Sequence, residues 1–375
     1  MKRITLTLCL ITLLPIPIYA ESPQIVKSEK VTFVLEKVID DLGIPWGLAF
    51  ISESQLLITE REGHIKLLDT KTKNLTLLQG VPGVLVDGQG GLLDVAVPPD
   101  FTSGDWIYFT FVRNKEDEGV TVLARAKLTN NTLTQWQDLL ETQSATDTGR
   151  HFGSRIAFDK KGHVYFGVGD RGVRPNSQDT SNHAGSVMRL TRDGRIPKDN
   201  PFIDRDDVLP EIWSYGHRNP QGMAYDPLHK RLWLIEHGPR GGDEINLVLP
   251  SRNYGWPVIS YGKEYWGPKA VGEGTHRKGM EQPIKQYTPS IAPGSLLLYS
   301  GNAFPNWQGN LFSGALKLRH INRVTLNKEG KAINEERLLI DLDKRIRALV
   351  ENPKGWLYFS TDSGEIYVIR PIDKK

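Results

Sequence analysis

The stretch Trp46–Asp69, WGLAFISESQLLITEREGHIKLLD, contains the pattern that decides the fold. Three short runs rich in aliphatic residues are separated by polar turns that contain serine, glutamate, arginine and glycine. Runs of this length between turn formers predict short antiparallel strands. No segment of the chain keeps a helical period over any length, so the stretch predicts one unit of an all-β fold.

Similar units recur along the whole chain. Their starts lie roughly 45 to 70 residues apart, near or above the spacing of propeller blades. The six units start at Trp46, Gly91, Ser154, Gly222, Gly294 and Ile346. Six units predict a six-bladed β-propeller. The segment Val31–Asp40, VTFVLEKVID, predicts a further strand that completes the last blade, and residues 21–375 are expected to form one domain.

The N-terminus has a different composition from the rest of the chain. Lys2 and Arg3 precede an apolar run over residues 4–18, and Ala20 is a small residue suited to cleavage. This layout predicts a secretory signal peptide over residues 1–20, with an uncleaved anchor as the alternative. Cleavage would remove Cys9, the only cysteine, and change the net charge from +3 to +1, since 3 − 2 = 1. We therefore expect a periplasmic or secreted protein with no membrane span after cleavage.

The sequence lacks the motifs that are typical of several classes of protein function. The basic residues are scattered, so nucleic-acid binding is not expected. GVGDRG at 167–172 matches a dinucleotide pattern, but VRPNSQDTSN follows it and cannot open the helix that holds a pyrophosphate. The chain has no G-x-S-x-G elbow, no H-E-x-x-H pattern and, once residues 1–20 are removed, no thiol. Nicotinamide chemistry and serine hydrolysis are both disfavoured.

Four basic residues stand at equivalent places in their units, beside apolar residues rather than acids: Arg218, Lys317, Arg345 and Arg347. Corresponding blade ends surround one central mouth in a propeller. If the four side chains converge, they form a cationic pocket suited to a multiply anionic ligand. The alternative is four separate surface charges.

Two other features could carry chemistry. His151 is a candidate general base, because histidine titrates near neutrality, although it could instead bond a loop carbonyl. The loop in EHGPRGGDEINLVLPSRNYGW, 236–256, offers the carboxylates of Asp243 and Glu244. The carbonyls of Gly238, Pro239 and Tyr254 could add to them. Ligation by oxygen alone favours Ca²⁺ over zinc, and a loop with solvated acids is the alternative.

Taken together, these residues resemble the soluble PQQ-dependent sugar dehydrogenases, in particular the aldose sugar dehydrogenase branch. The resemblance covers nearly all of the chain after residue 20. The motifs that carry it are GQGGLLDVA, HFGSR, PEIWSYGHRNPQGMA, EHGPRGGDEIN, NYGWP, GALK and RIR.

The resemblance implies a six-bladed propeller and a role for each matched residue. His151 would take the proton of the sugar C1 hydroxyl, and Arg218 would stabilise charge at the quinone oxygens. The expected PQQ contacts are Gln89, Arg218, Asn219, Tyr265, Ala315, Leu316, Lys317, Arg345, Ile346 and Arg347. The expected calcium ligands are Gly238 and Pro239 for an ion that touches PQQ, and Glu244 and Tyr254 for a second ion. One position departs from the pattern: Arg150 stands before His151, where the glucose-specific members have an acid.

The expected function is therefore oxidation of aldoses at C1 to lactones, with hydride transfer to PQQ assisted by calcium. The electron acceptor is not identified by the sequence. Two alternatives remain open: a calcium-dependent sugar-lactone hydrolase, and a propeller that binds glycans or proteins without catalysis. A central metal site made of protein ligands would favour the hydrolase, whereas a cationic pocket would favour the dehydrogenase.

Overall fold

The computed structural model describes residues 22–373, and these residues form six antiparallel sheets arranged as the blades of a propeller. The predicted fold class is confirmed. The predicted signal peptide lies outside the described residues, so export stays a prediction. Within residues 22–373 no helix is long and apolar enough to cross a membrane.

Two N-terminal strands precede the first blade: β1 (Gln24–Lys27) and β2 (Thr32–Ile39). Blade one contains β3 (Pro45–Phe50), β4 (Gln55–Glu60), β5 (His64–Asp69) and β6 (Leu75–Leu77). Blade two contains β7 (Leu92–Ala96), β8 (Ile107–Lys115), β9 (Glu118–Thr129) and β10 (Thr132–Glu141). Blade three contains β11 (Ile156–Phe158), β12 (His163–Val168), β13 (Ser186–Thr191) and β14 (Ile212–Tyr215).

Blade four contains β15 (Pro220–Asp226), β16 (Arg231–Glu236), β17 (Asp243–Val248) and β18 (Lys285–Tyr287). Blade five contains β19 (Leu297–Leu298), β20 (Leu311–Gly314), β21 (Ile321–Leu326) and β22 (Ala332–Leu338). Blade six contains β23 (Ile346–Glu351), β24 (Leu357–Thr361) and β25 (Ile366–Arg370). Three 3-10 helices complete the described chain: Arg174–Gln178, Pro305–Trp307 and Ile340–Leu342.

The ring is closed by the N-terminal strands. β2 pairs with β25, with Leu35 opposite Ile369, and β1 pairs with β2 at the outer edge of blade six. The prediction that Val31–Asp40 completes the last blade is therefore confirmed. Closure removes the open edges at which a curved set of blades would otherwise end.

The core lies between neighbouring blades, and this explains the nearly continuous apolar runs. Successive side chains of a strand point to opposite faces. In β12, Val164 and Phe166 pack with Tyr108 of blade two, whereas Tyr165 packs with Met223 of blade four. Because both faces of a blade are covered, alternation of polar and apolar residues is weak in these strands.

The first strands of the six blades line a central channel, which a buried ion pair divides. Nη1 of Arg155 lies 2.9 Å from Oδ1 of Asp94, and the guanidinium lies 3.9 Å from the centre of the Trp46 ring. On one side is a largely apolar cavity of about 380 Å³. On the other side is a cavity with many polar groups, of about 390 Å³, which we call the central cavity.

Candidate active site

The central cavity is lined by residues that are distant in the sequence. Five of the residues predicted to contact a cofactor line it: Gln89, Asn219, Leu316, Arg345 and Arg347. They come from loops that begin or end the inner strands of several blades. The structure therefore brings these five together, as the propeller prediction requires.

An acid that the sequence analysis missed pairs with two of the predicted cations. Nε of Arg347 lies 2.8 Å from Oδ1 of Asp362, and Nε of Arg345 lies 2.9 Å from Oδ2. Burial opposes ionisation, but the charge of Arg347 and the bonds from both arginines hold the pKa of Asp362 below its usual range. The cationic cluster is thus partly neutralised, because the β24–β25 turn lies beside the start of β23. Arg61 also lines the cavity.

The predicted general base forms a pair with a second acid that was not predicted. Nδ1 of His151 lies 2.5 Å from Oδ1 of Asp170, and Nε1 of Trp256 donates to Oδ2 of the same carboxylate at 2.7 Å. The backbone N–H of His151 donates to Oε1 of Gln89 at 2.8 Å. The carboxylate only accepts hydrogen bonds, so Nδ1 carries the hydrogen and Nε2 is left for proton transfer.

The electrostatic surroundings keep His151 neutral. Burial lowers its pKa below 6.5, Asp170 opposes this shift, and the charges of Arg218 and Arg150 add to it. A neutral imidazole at neutral pH is the form that can accept a proton. Arg150 contributes positive charge at this place.

Arg218 is held next to this pair by several contacts. Its backbone N–H donates to Oε2 of Glu236 at 2.6 Å, and its Nη1 donates to the carbonyl of His237 at 3.1 Å. Its guanidinium lies 5.2 Å from the centre of the Trp256 ring, and Nη2 lies 3.4 Å from the hydroxyl of Tyr265. Its Nε is buried without a hydrogen-bond partner among the described residues. An unpaired buried donor of this kind is suited to an anionic ligand.

A second, ion-sized cavity of about 20 Å³ adjoins Arg218 and is lined by Glu236, Gly238, Glu244 and Tyr254. Burial, together with the charge of Glu236, raises the pKa of Glu244. Nδ2 of Asn246 lies 3.1 Å from Oε1 of Glu236 and 3.3 Å from Oε2 of Glu244, while its Oδ1 has no partner among the described residues. Two buried carboxylates and an unpaired amide oxygen form an oxygen-rich cluster that a hard cation would stabilise.

Asp243, one of the candidate calcium ligands, holds the turn at Gly238 and Pro239. Oδ1 of Asp243 accepts the Gly238 N–H at 2.9 Å, and its Oδ2 accepts the Ser290 hydroxyl at 2.7 Å. Asp243 therefore supports the turn. A Cβ on Gly238 would lie 2.3 Å from the carbonyl oxygen of Gly241, so only glycine fits there. The Pro239 carbonyl accepts the Lys263 N–H at 3.1 Å and keeps a second lone pair.

The remaining predicted residues are placed less centrally, and of these only Tyr254 lines one of the two cavities. Ala315 and Ile346 are fully buried beside the strand ends, and the side chain of Lys317 is exposed. The hydroxyl of Tyr254 donates to the Leu247 carbonyl at 2.5 Å, and its ring stacks on His217. Tyr265 is mostly exposed, although its hydroxyl is near Arg218.

His237 was not predicted, and it lines both cavities. It is half-buried, and its Nε2 lies 2.7 Å from the carbonyl oxygen of Pro293. Burial, with the charge of Arg218 nearby, lowers its pKa to about 3. A signal for Asp170 was present in the sequence, since it follows a strand within the GVGDRG motif. No sequence feature of this kind pointed to Trp256 or His237.

Comparisons with known proteins agree with this geometry. The model of the glucose/sorbosone dehydrogenase family matches residues 42–370. Aldose sugar dehydrogenase YliI of Escherichia coli is 39% identical over 349 residues, which cover 91% of this chain and 93% of that protein. The apo structure of the soluble aldose sugar dehydrogenase from Escherichia coli has a TM-score of 0.86 at 39% identity, covering 90% of this chain and 99% of the other. The PQQ-bound aldose sugar dehydrogenase of Streptomyces coelicolor has a TM-score of 0.73 at 27% identity, covering 93% and 98%.

Proposed function

The chain belongs to the glucose/sorbosone dehydrogenase family, and on this premise we propose that it is a PQQ-dependent aldose sugar dehydrogenase. The observation that carries the proposal is the His151–Asp170 pair beside a cavity lined by arginines and amides. A neutral base beside such a cavity supports oxidation of a sugar hydroxyl next to a bound anionic organic group. The substrate is an aldose, and the reaction is oxidation at C1 to the lactone.

The central cavity fits PQQ in size and in charge. A volume of about 390 Å³ lies within the usual range for small-molecule sites. PQQ carries three carboxylates, and Arg61, Arg345 and Arg347 line the cavity while the buried Nε of Arg218 is free to donate. Gln89 and Asn219 would add neutral hydrogen bonds. Leu316 also lines the cavity, and the proposed contact set is completed by Lys317, Tyr265, Ala315 and Ile346.

The chain's own residues would control the proton. Nε2 of His151 would take the proton of the C1 hydroxyl, and Asp170 would stabilise the imidazolium that forms. Trp256 holds the Asp170 carboxylate in place. The guanidinium of Arg218 would stabilise negative charge that develops beside it. When bound, PQQ supplies the hydride acceptor, while the protein supplies orientation and electrostatics.

We also propose calcium at the two predicted places. The carbonyls of Gly238 and Pro239 would hold one ion, and Glu244 with the Tyr254 carbonyl would hold the second. The oxygen-rich cluster beside the ion-sized cavity supports the second site, and Glu236 and Asn246 are added there as candidates. When bound, calcium supplies positive charge that offsets the buried carboxylates and polarises a neighbouring oxygen.

The hydrolase alternative receives less support from the arrangement of side chains. Among residues 22–373, no three His, Cys, Asp or Glu side chains gather as a metal site. The central cavity instead presents arginines. The arginines of the central cavity therefore favour the dehydrogenase over the hydrolase.

The experiment that tests the proposal combines spectral titration with a turnover assay. The apoprotein is prepared with a chelator and titrated with PQQ in the presence of Ca²⁺, and aldose-dependent reduction of a dye is then followed. We expect saturable PQQ binding and sugar-dependent dye reduction, with neither PQQ nor Ca²⁺ sufficient alone. Absence of turnover with every aldose tried would overturn the proposal. Sugar binding without PQQ binding would favour the non-catalytic alternative.

A further inference from the structure

A short hairpin projects from the long connection between β17 and β18 of blade four, which also contains Tyr254. Lys263 and Ala270 form an antiparallel bridge, and the Lys263 N–H donates to the Pro239 carbonyl. The tip of the hairpin, residues 264–269, therefore begins one residue after the contact with Pro239. This connection ties the hairpin to the wall of the candidate active site.

Two arginines from outside the hairpin hold it in place. Nη1 and Nη2 of Arg174 each lie 2.7 Å from a carboxylate oxygen of Glu264, a bidentate contact. Nη1 of Arg240 donates to the carbonyls of Glu264, Tyr265 and Gly267 at 3.2, 3.3 and 3.2 Å. Bidentate arginine contacts give directional stability, so the tip has a defined position in spite of its exposure.

The hairpin presents two large aromatic side chains to solvent. Tyr265 is 64% exposed and Trp266 is 74% exposed. The Tyr265 hydroxyl nevertheless lies 3.4 Å from Nη2 of the buried Arg218. The Tyr265 ring thus extends outward from the candidate active site, and Trp266 is its neighbour at the tip. Neighbouring exposed aromatic residues on a rigid support are typical of a binding surface.

We infer that Tyr265 and Trp266 form a stacking subsite for the second sugar ring of a reducing oligosaccharide. The inference rests on the proposed function, in which the first ring is oxidised beside His151 and Arg218. The remainder of an oligosaccharide is attached away from the free C1 and extends out of the site. The face of an aromatic ring carries partial negative charge and packs against the partly positive C–H groups of a sugar ring, while the Tyr hydroxyl and the Trp N–H can add hydrogen bonds.

The test compares a disaccharide with a monosaccharide in one variant. In Trp266→Ala, the ratio of kcat/KM for maltose to that for glucose is expected to fall about three- to tenfold, because one aromatic contact is lost. The fall should come from KM for maltose, with kcat for maltose retained. Trp266→Phe keeps an aromatic face and should recover most of the ratio. An unchanged ratio in Trp266→Ala would overturn the inference, and so would an equal loss for both sugars.

Leu228→Ala is a matched control, since Leu228 is 80% exposed on the turn between β15 and β16, at the opposite end of blade four. It should leave the ratio unchanged. A second readout does not need turnover: calorimetric binding of methyl maltoside, which has no free C1 hydroxyl. Weaker binding to Trp266→Ala than to the wild type would support the subsite even if no aldose is oxidised, whereas equal binding would overturn it. Failure of the subsite is thus distinguishable from failure of the proposed function.

Discussion

At the scale of single residues, the candidate base is positioned by three parts of the chain that are far apart in sequence. Gln89 holds its backbone, Asp170 holds its ring, and Trp256 holds Asp170. His151 itself has a φ of +57°, which is uncommon for a residue with a side chain. A residue in the left-handed backbone conformation has to be stabilised by its surroundings, and these contacts provide that stabilisation.

We predict that replacing either member of the pair lowers turnover without preventing PQQ binding. His151→Ala removes the base and should lower kcat by about 10²- to 10⁴-fold. Asp170→Asn leaves a base with the wrong tautomer and should also lower kcat strongly. Spectral titration with PQQ checks that the cofactor still binds to both variants. Full activity in His151→Ala would reject His151 as the base.

The pH dependence of kcat/KM follows from the same surroundings. Burial lowers the pKa of His151, so the base stays deprotonated to lower pH than a free histidine, and the acid limb should lie below pH 6.5. The Asp170 carboxylate raises this pKa. Its replacement by asparagine should therefore move the residual acid limb to still lower pH. An acid limb of kcat/KM above pH 6.5 in the wild type would contradict the assignment of His151 as the base. A shift of that limb to higher pH in Asp170→Asn would also contradict it.

At the scale of elements, β2 joins the two ends of the ring and also completes a core. Phe33 in β2 is fully buried and packs on Trp307 of the blade-five segment, with ring centres 5.6 Å apart. The same cluster includes Phe359 and Ile369 of blade six. One strand from the N-terminus thus fills the space between blades five and six, where the sixth repeat alone would leave a gap.

Phe33→Ala is expected to destabilise the protein by about 3 to 5 kcal/mol, because it removes a fully buried ring and leaves a cavity. Urea unfolding followed by tryptophan fluorescence measures the change. Ile25→Ala in the adjacent β1 is the control, since Ile25 is 67% exposed and its loss should change stability by less than about 0.5 kcal/mol. Equal effects of the two substitutions would show that β2 does not stabilise the ring through this core.

At the scale of the whole molecule, the channel enclosed by six blades creates the site. Arg155 and Asp94 separate the central cavity from the apolar cavity, so one end of the channel is polar and the other is not. Arg155 also donates to the carbonyl of Gly294, across the channel in the connection before blade five. Because Arg155 contacts residues on different sides of the channel, the geometry of the site depends on how the ring closes.

Calcium bound at the proposed sites should raise the free energy of unfolding of the whole chain. At 100 times its Kd, an ion that binds only the folded state adds about 2.7 kcal/mol, which corresponds to a rise in Tm of a few degrees. In Glu244→Gln the rise should be reduced or lost, while Tm without calcium should be equal or higher, because a buried charge is removed. Differential scanning calorimetry measures both. Glu273→Gln is the control, since Glu273 is exposed in the connection that follows β17. An identical calcium response in Glu244→Gln would reject this residue as a ligand.

The sequence by itself determined the repeat and therefore the architecture. Short apolar runs between turn formers specify strands locally, and six repeats with a seventh partial segment specify a closed ring. The same local chemistry identified His151, the arginines and the Gly238–Pro239 turn, because their residue types and positions at strand ends can be read directly.

Only the tertiary structure decided which side chains meet. Asp362 lies between Arg345 and Arg347, and Asp170 lies against His151, through contacts of 15 to 19 residues' separation. Trp256 reaches Asp170 over a separation of 86 residues. The contacts of Asp362 and of His151 depend on which strands pair within a blade, and the contact of Trp256 depends on the course of a long loop, which no local pattern encodes. The strands follow from local propensity and burial. The acid that orients the base and the acid that neutralises the cations meet their partners through strand pairing inside blades three and six, whereas Trp256 reaches Asp170 because a long loop of blade four packs against blade three.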